Sequence, residues 1–156
     1  VLVRKNSVAV DYLIEVLEVA ALETGKVGIN IESIDDDLKM TGKAVLEGIF
    51  FDTDEATMKA ESAATLDIVA QYLKTEAASK AFVVGHTDYD GSYDHNVDLS
   101  RRRAEAVVAA LGERGIDTTR LMGVGVGPVA PKSSNLDEGG GAENRRVELV
   151  LRKSTN

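Results

Sequence analysis

Between residues 44 and 153, two stretches with apolar residues at steps of three and four are interleaved with short, continuous apolar runs, and this alternation leaves few folds open. Leu66, Val69 and Leu73 mark a helix over Glu61–Ala77, and Ala104, Val107, Val108 and Leu111 form the apolar stripe of a second helix over Leu99–Arg114. Gly115 stands where a helix C-terminal cap is expected. Ala44–Phe51, Ala81–His86, the glycine-studded Leu121–Gly127 and Arg146–Arg152 read as strands, the last with Val147, Leu149 and Leu151 on one face. The order β-α-β-α-β-β favours right-handed crossovers and parallel pairing, with an antiparallel final strand allowed by the long Pro128–Asn144 loop. The expected fold class is α/β: a two-layer sandwich in which helices pack on one mixed four-stranded sheet.

Residues 1–43 are expected to form a separate N-terminal segment, with the main domain at 44–153. Val8, Val10, Tyr12, Ile14 and Val16 alternate at period two, as do Val27, Ile29 and Ile31, with Glu23-Thr24-Gly25-Lys26 between them. This pattern predicts a β-hairpin, or the end of a preceding domain. Asp35-Asp36-Asp37 is expected at a helix start or in a solvated turn, and Gly139-Gly140-Gly141 in a mobile loop.

Several function classes are disfavoured. The formal net charge of −8 argues against nucleic acid and against an anionic membrane surface, so an anionic ligand must be met by a local cluster of cations. The absence of cysteine excludes disulfides, thiolate metal sites and a Cys nucleophile. No run of eighteen apolar residues is present, so no membrane span is expected within these residues. The chain begins at Val1 with no visible signal peptide and reads as a fragment or processed product. Aromatics make up only 4% of residues, so the core must be aliphatic.

The most unusual stretch is Gly85-His86-Thr87-Asp88-Tyr89-Asp90-Gly91-Ser92-Tyr93-Asp94-His95-Asn96, which leaves the carboxyl end of a strand and enters a helix. Ligands of open α/β sheets sit at such ends, although Asp and Asn also serve there simply as turn-formers and caps. Arg101, Arg102 and Arg103 are expected in the first turn of the following helix, where the dipole disfavours cations. A solvated basic face accounts for Arg101 and Arg102. Arg103 precedes Val107 by one turn, so its stem can pack while its head meets a carboxylate. Asp88 and Arg103 then complement an amino acid zwitterion, ammonium to Asp88 and carboxylate to Arg103. The alternative is an internal salt bridge between them.

Two rival chemistries are carried by the same loop. Asp88, Asp90, Ser92 and Asp94 alternate as oxygen ligands around Gly91 and superficially resemble a calcium loop, but the glycine is displaced and no bidentate Glu follows. His86 and His95 lack a third zinc ligand at a standard spacing. Ser92 or Ser100 with either histidine and an Asp supplies the inventory of a triad without a G-x-S-x-G elbow. A protein-interaction module using the acidic surface is a further alternative. No cofactor is expected, and oligomeric state is not legible.

Three blocks then carry a family resemblance. Gly85-His86-Thr87-Asp88, followed by Gly91, Asn96 and Leu99-Ser100-x-x-Arg103-Ala104, resembles the signature of the OmpA/MotB C-terminal family of peptidoglycan-binding domains. Phe51-Asp52-x-Asp54-x-Ala56 resembles its opening strand and turn, and Asn144-Arg145-Arg146-Val147-Glu148-Leu149 its closing strand. The resemblance covers about residues 44–153, and Gly48-Ile49-Phe50-Phe51-Asp52 more loosely resembles the lead-in of some outer-membrane lipoproteins. It implies an OmpA-like fold and a non-catalytic module. Such a module binds the diaminopimelate residue of peptidoglycan stem peptides and anchors a periplasmic, outer-membrane-associated protein to the cell wall. Asp88 and Arg103 fall on the family's key aspartate and arginine. Further contacts fall on Asp54, Thr87, Asn96, Leu99, Arg145 and Arg146. Some members carry Asn where Asp54 stands.

Overall fold

The computed structural model describes residues 29–137 and 139–153. Its elements in chain order are α1 (Ile31–Thr41), β1 (Lys43–Val45), α2 (Ala63–Thr75), β2 (Lys80–His86), α3 (Tyr93–Glu113), β3 (Leu121–Gly127), α4 (Gly140–Asn144) and β4 (Val147–Arg152). The strands form one sheet in the order β1-β4-β2-β3. β2 and β3 are parallel, joined by the α3 crossover, while β4 runs antiparallel to both β1 and β2. The last strand of the chain is therefore central, which explains its apolar pattern: Val147 and Leu149 are buried, whereas Leu151 emerges at the sheet's end. This is the mixed four-stranded α/β sandwich that the periodicity predicts. The core is aliphatic, drawing Leu66, Val69 and Leu73 from α2, Val107 and Leu111 from α3, and Val83 and Leu149 from the sheet. No helix of the described residues is long and apolar enough to cross a membrane.

Four local expectations change. The hairpin expected over residues 8–31 lies almost wholly outside the described residues; of its second arm, Ile31 opens α1 instead of continuing a strand. Asn30 caps α1 by accepting from Ser33 N at 2.7 Å, and Ser33 Oγ accepts from Asn30 N in return. Asp35–Asp37 lie inside this helix, on the side away from Ile34 and Leu38, which enter the main core. The first strand ends at Val45 because Gly48 adopts φ 90°, and a Cβ there would meet Thr65 Oγ1 at 2.5 Å; Phe51 pairs only with Met58 in an isolated bridge. The glycine patch expected to be a mobile loop instead opens α4, where a Cβ on Gly140 would lie 1.8 Å from the Ser134 carbonyl oxygen.

The fourth change matters most for function. α3 begins at Tyr93, six residues before the expected start, with Ser92 as its cap. Its early turns lie directly on the sheet: a Cβ on Gly85 would sit 2.1 Å from Ser100 O, and one on Gly125 2.2 Å from Arg101 N. Ser100 Oγ ties the two layers, accepting from Gly127 N at 2.9 Å and donating to Val97 O. This close approach brings the Asn96–Leu99–Arg103 face of α3 over the carboxyl end of β2.

Candidate functional site

A cavity of about 840 Å³ opens at that end of the sheet. Its walls are the turn after β1, the loop between β2 and α3, the inner face of α3, and the segment joining α4 to β4. All eight residues singled out from the sequence line it: Asp54, Thr87, Asp88, Asn96, Leu99, Arg103, Arg145 and Arg146.

The β2 ladder continues past the strand, with His86 N donating to Arg146 O at 2.9 Å and Thr87 N to Gly127 O at 3.0 Å. Asp88 is thus delivered to the cavity from a rigid backbone. Its Oδ1 accepts from Asp90 N at 3.1 Å, and buried Asn96 donates through Nδ2 to Asp90 O at 2.9 Å, folding the loop onto the first turn of α3. Leu99 is buried and supplies apolar wall.

Arg103 is only 8% exposed. Its Nε donates to Glu55 O at 2.9 Å and its Nη2 to Asp52 O at 3.3 Å, while the guanidinium lies 5.0 Å from the centroid of the Phe51 ring. Two main-chain carbonyls and an aromatic face therefore hold the cation, and Nη1 is left free of these bonds. Burial lowers the pKa of this group, and the nearby Asp54 and Asp88 carboxylates counter that by favouring the charged form. Arginine remains protonated under such conditions.

The three consecutive arginines lie further along their helix than the first turn expected of them. Because α3 starts at Tyr93, Arg101–Arg103 occupy its third turn, beyond the reach of the N-terminal dipole. Arg101 pairs with Asp98 and Glu105, both at 2.7 Å, and Arg102 with Asp98 at 2.8 Å, all on the outer surface. Arg103 alone turns inward.

The expected alternative of an Asp88–Arg103 salt bridge is not what forms. Asp88 Oδ2 instead pairs with Arg145 Nη1 at 2.5 Å, from the opposite wall. The adjacent Arg146 differs: it is nearly buried, with Nε on Glu148 Oε1 at 2.9 Å and Nη2 donating to Ala130 O at 3.1 Å. Asp54 adopts the left-handed region, φ 58°, and its carboxylate meets His95 Nε2 at 2.6 Å, linking the turn after β1 to the first turn of α3.

Sequence reasoning missed this Asp54–His95 link, which joins positions 41 residues apart. It also missed the buried His86–Glu148–Arg146 cluster. There, His86 at 3.4 Å, and Arg146 against the cost of burial, hold the Glu148 carboxyl at about 2. Of the two partners, Arg146 makes the full hydrogen bond; His86 Nε2 stands close to the carboxylate without one. The spacing of Arg146 and Glu148, two apart on a strand and hence on one face, was the available signal.

The rival inventories are engaged elsewhere. Ser92 caps α3, Ser100 bonds the main chain of Val97 and Gly127, and neither hydroxyl is bonded to an imidazole. Among the described residues no group of three or more His, Cys, Asp or Glu side chains is arranged to hold a metal ion.

Known proteins share this sequence and fold over much of the chain. The chain is 42% identical over 103 residues to the Escherichia coli (strain K12) protein named Probable lipoprotein YiaD, covering 66% of this chain and 47% of that protein. It is 40% identical over 113 residues to Outer membrane protein A of Bordetella avium, covering 72% and 58% respectively. The chain thus spans about half the length of these relatives. The crystal structure of the peptidoglycan-associated lipoprotein from Burkholderia pseudomallei superposes with a TM-score of 0.61 at 34% identity, covering 67% of this chain and 88% of that one. Residues 50–145 match the OmpA family, and the chain belongs to it.

Proposed function

We propose that residues 44–153 form a non-catalytic module that binds peptidoglycan through the diaminopimelate residue of the stem peptide. It thereby anchors a periplasmic, outer-membrane-associated protein to the cell wall. One observation carries the reading: a carboxylate, Asp88, and a buried guanidinium, Arg103, line a single cavity without being paired to each other. An amino acid zwitterion supplies the missing partner to each. Its ammonium adds to Asp88, whose carboxylate has acceptor sites beyond those used by Arg145 and Asp90 N. Its carboxylate meets Arg103, already desolvated and held by the carbonyls of Asp52 and Glu55. Little side-chain ordering remains to be lost on binding, which favours affinity. Thr87, Asn96, Leu99, Asp54, Arg145 and Arg146 shape the walls.

The name of the Burkholderia relative, a peptidoglycan-associated lipoprotein, supports the same ligand class. The test is co-sedimentation with purified walls. Diaminopimelate-type walls should retain the chain more strongly than walls with lysine at that position, because lysine lacks the terminal carboxylate for Arg103. Equal retention by both would reject the zwitterion model.

A further inference from the structure

Aromatic side chains are scarce here, four Tyr and three Phe with no Trp, so their placement carries information. Six lie among the described residues. Tyr72 is buried in the core, Phe51 lies against Arg103, and Phe82 is stacked 4.8 Å from the guanidinium of Arg152. The other three, Phe50, Tyr89 and Tyr93, are 52%, 71% and 58% exposed. Phe50 is at the wall of the Asp88–Arg103 cavity, and Tyr89 and Tyr93 lie on the loop and helix start that border it. Phe50 lines the cavity from the turn after β1. Tyr89 is flanked by the lining residues Asp88 and Asp90. Tyr93 opens α3 and shares a face with Asn96, a lining residue one turn on. The backbone that carries both tyrosines is tied down by the Asn96–Asp90 and Asp90–Asp88 hydrogen bonds, so the rings are presented from a fixed base.

Single exposed apolar residues are ordinary, but the grouping of all three exposed aromatics of the described residues around one cavity marks a contact surface. The polar groups between the rings specify its partner. Asp90 and Asp94 are exposed carboxylates that alternate with the tyrosines. Rings with carboxylate acceptors between them suit a neutral pyranose, whose C–H face stacks on the ring while its hydroxyls donate to the carboxylates. They repel an anionic partner.

We propose that Tyr89 and Tyr93, with Phe50 across the cavity, form a platform for the sugar rings of the glycan strand. This rests on the peptidoglycan reading above, since the sugars arrive on the stem peptide seated at Asp88 and Arg103. The stem peptide is a short chain, and each extended residue spans about 3.3–3.6 Å. The sugar from which it hangs therefore lies on the order of 10 Å from the seat after three residues, within reach of the rim.

Calorimetry with two soluble ligands tests this: a muropeptide carrying its disaccharide, and the same stem peptide released from the sugar. The wild type should bind the sugar-bearing ligand about two- to tenfold more tightly. Tyr89→Ala/Tyr93→Ala should abolish that advantage and leave affinity for the free peptide unchanged. Tyr89→Phe/Tyr93→Phe should retain most of it, because stacking needs the ring. Equal wild-type affinity for both ligands would overturn the platform and leave the wall-binding reading intact. Binding of neither would overturn that reading and the platform with it. A double alanine variant that weakens both ligands equally would make the tyrosines part of the peptide seat, and the platform would be wrong.

Discussion

Asp88 and Arg145, 57 positions apart in the chain, form an ion pair at 2.5 Å across the mouth of the cavity. Arg145 is thus an internal cation on the carboxylate proposed to take the ligand's ammonium. A zwitterion seated beside Arg145 balances the added ammonium with its own carboxylate. A ligand with an ammonium alone adds a second cation beside Arg145 with no anion to balance it. Arg145→Ala should therefore narrow the preference for diaminopimelate over lysine by up to about fivefold, the modest figure expected of a half-exposed pair. Calorimetric affinities for two stem peptides, one with diaminopimelate and one with lysine at that position, measure it, and an unchanged ratio would show that Arg145 plays no part in selection.

The three consecutive arginines should behave very differently. Arg101 and Arg102 are held by Asp98 and Glu105 on the surface, so alanine at either should change stability little. Each should also cost little wall affinity, and that little should vanish at high salt. Arg103→Ala should remove most binding at any salt. It should also cost about 1–3 kcal/mol of stability, because the carbonyls of Asp52 and Glu55 lose their donor. Arg103→Lys should restore little, since an ammonium matches neither a bidentate carboxylate nor two carbonyls at once. Wall-binding isotherms at two salt concentrations decide the matter, and a dominant effect at Arg102 would place the anion contact elsewhere.

Acid should unpick the Glu148 cluster. The carboxyl is lowered from 4.5 to about 2 by His86 and Arg146, so its folded-state value lies below its unfolded one. Such a group stabilises the fold fully above the unfolded value, and that contribution is lost as pH falls from about 4.5 towards 2. Relative to Glu148→Gln, the wild type should be more stable at pH 7 by at most about 3 kcal/mol. In urea titrations the difference should shrink steadily below pH 4.5. A difference independent of pH would mean that shape, not charge, is what the position supplies.

Although α1 precedes the segment that resembles the family, Ile34 and Leu38 are buried in the common core against β1 and α2. Alanine at either position should cost about 2–5 kcal/mol, as for other fully buried aliphatic side chains. Thermal unfolding should remain a single transition, shifted downward. A separate early transition would identify α1 as an independently melting attachment.

Periodicity alone established α2, β2, β3 and β4 to within a few residues, because burial on one face imposes a repeat that the residues themselves display. Arg103 stood out as a charged residue on the margin of an apolar stripe, Asp88 by its place in the polar loop at a strand's carboxyl end, and the family resemblance pointed to both. Periodicity misplaced the start of α3. Residues 93–98 carry their polar groups outward or into the loop, and the helix is held there by Ser92, Asn96 and the close approach to Gly85 and Gly125, none of which is periodic. The partners of the charges were decided only in three dimensions. Asp88 found Arg145, Arg103 found the carbonyls of the turn after β1, and Asp54 found His95, because the sheet order β1-β4-β2-β3 brings together chain segments 41 to 57 residues apart. A sequence lists which charges exist, but the insertion of the last strand between the first two sets which of them are neighbours, and at a few ångströms that choice determines which groups are left for a ligand.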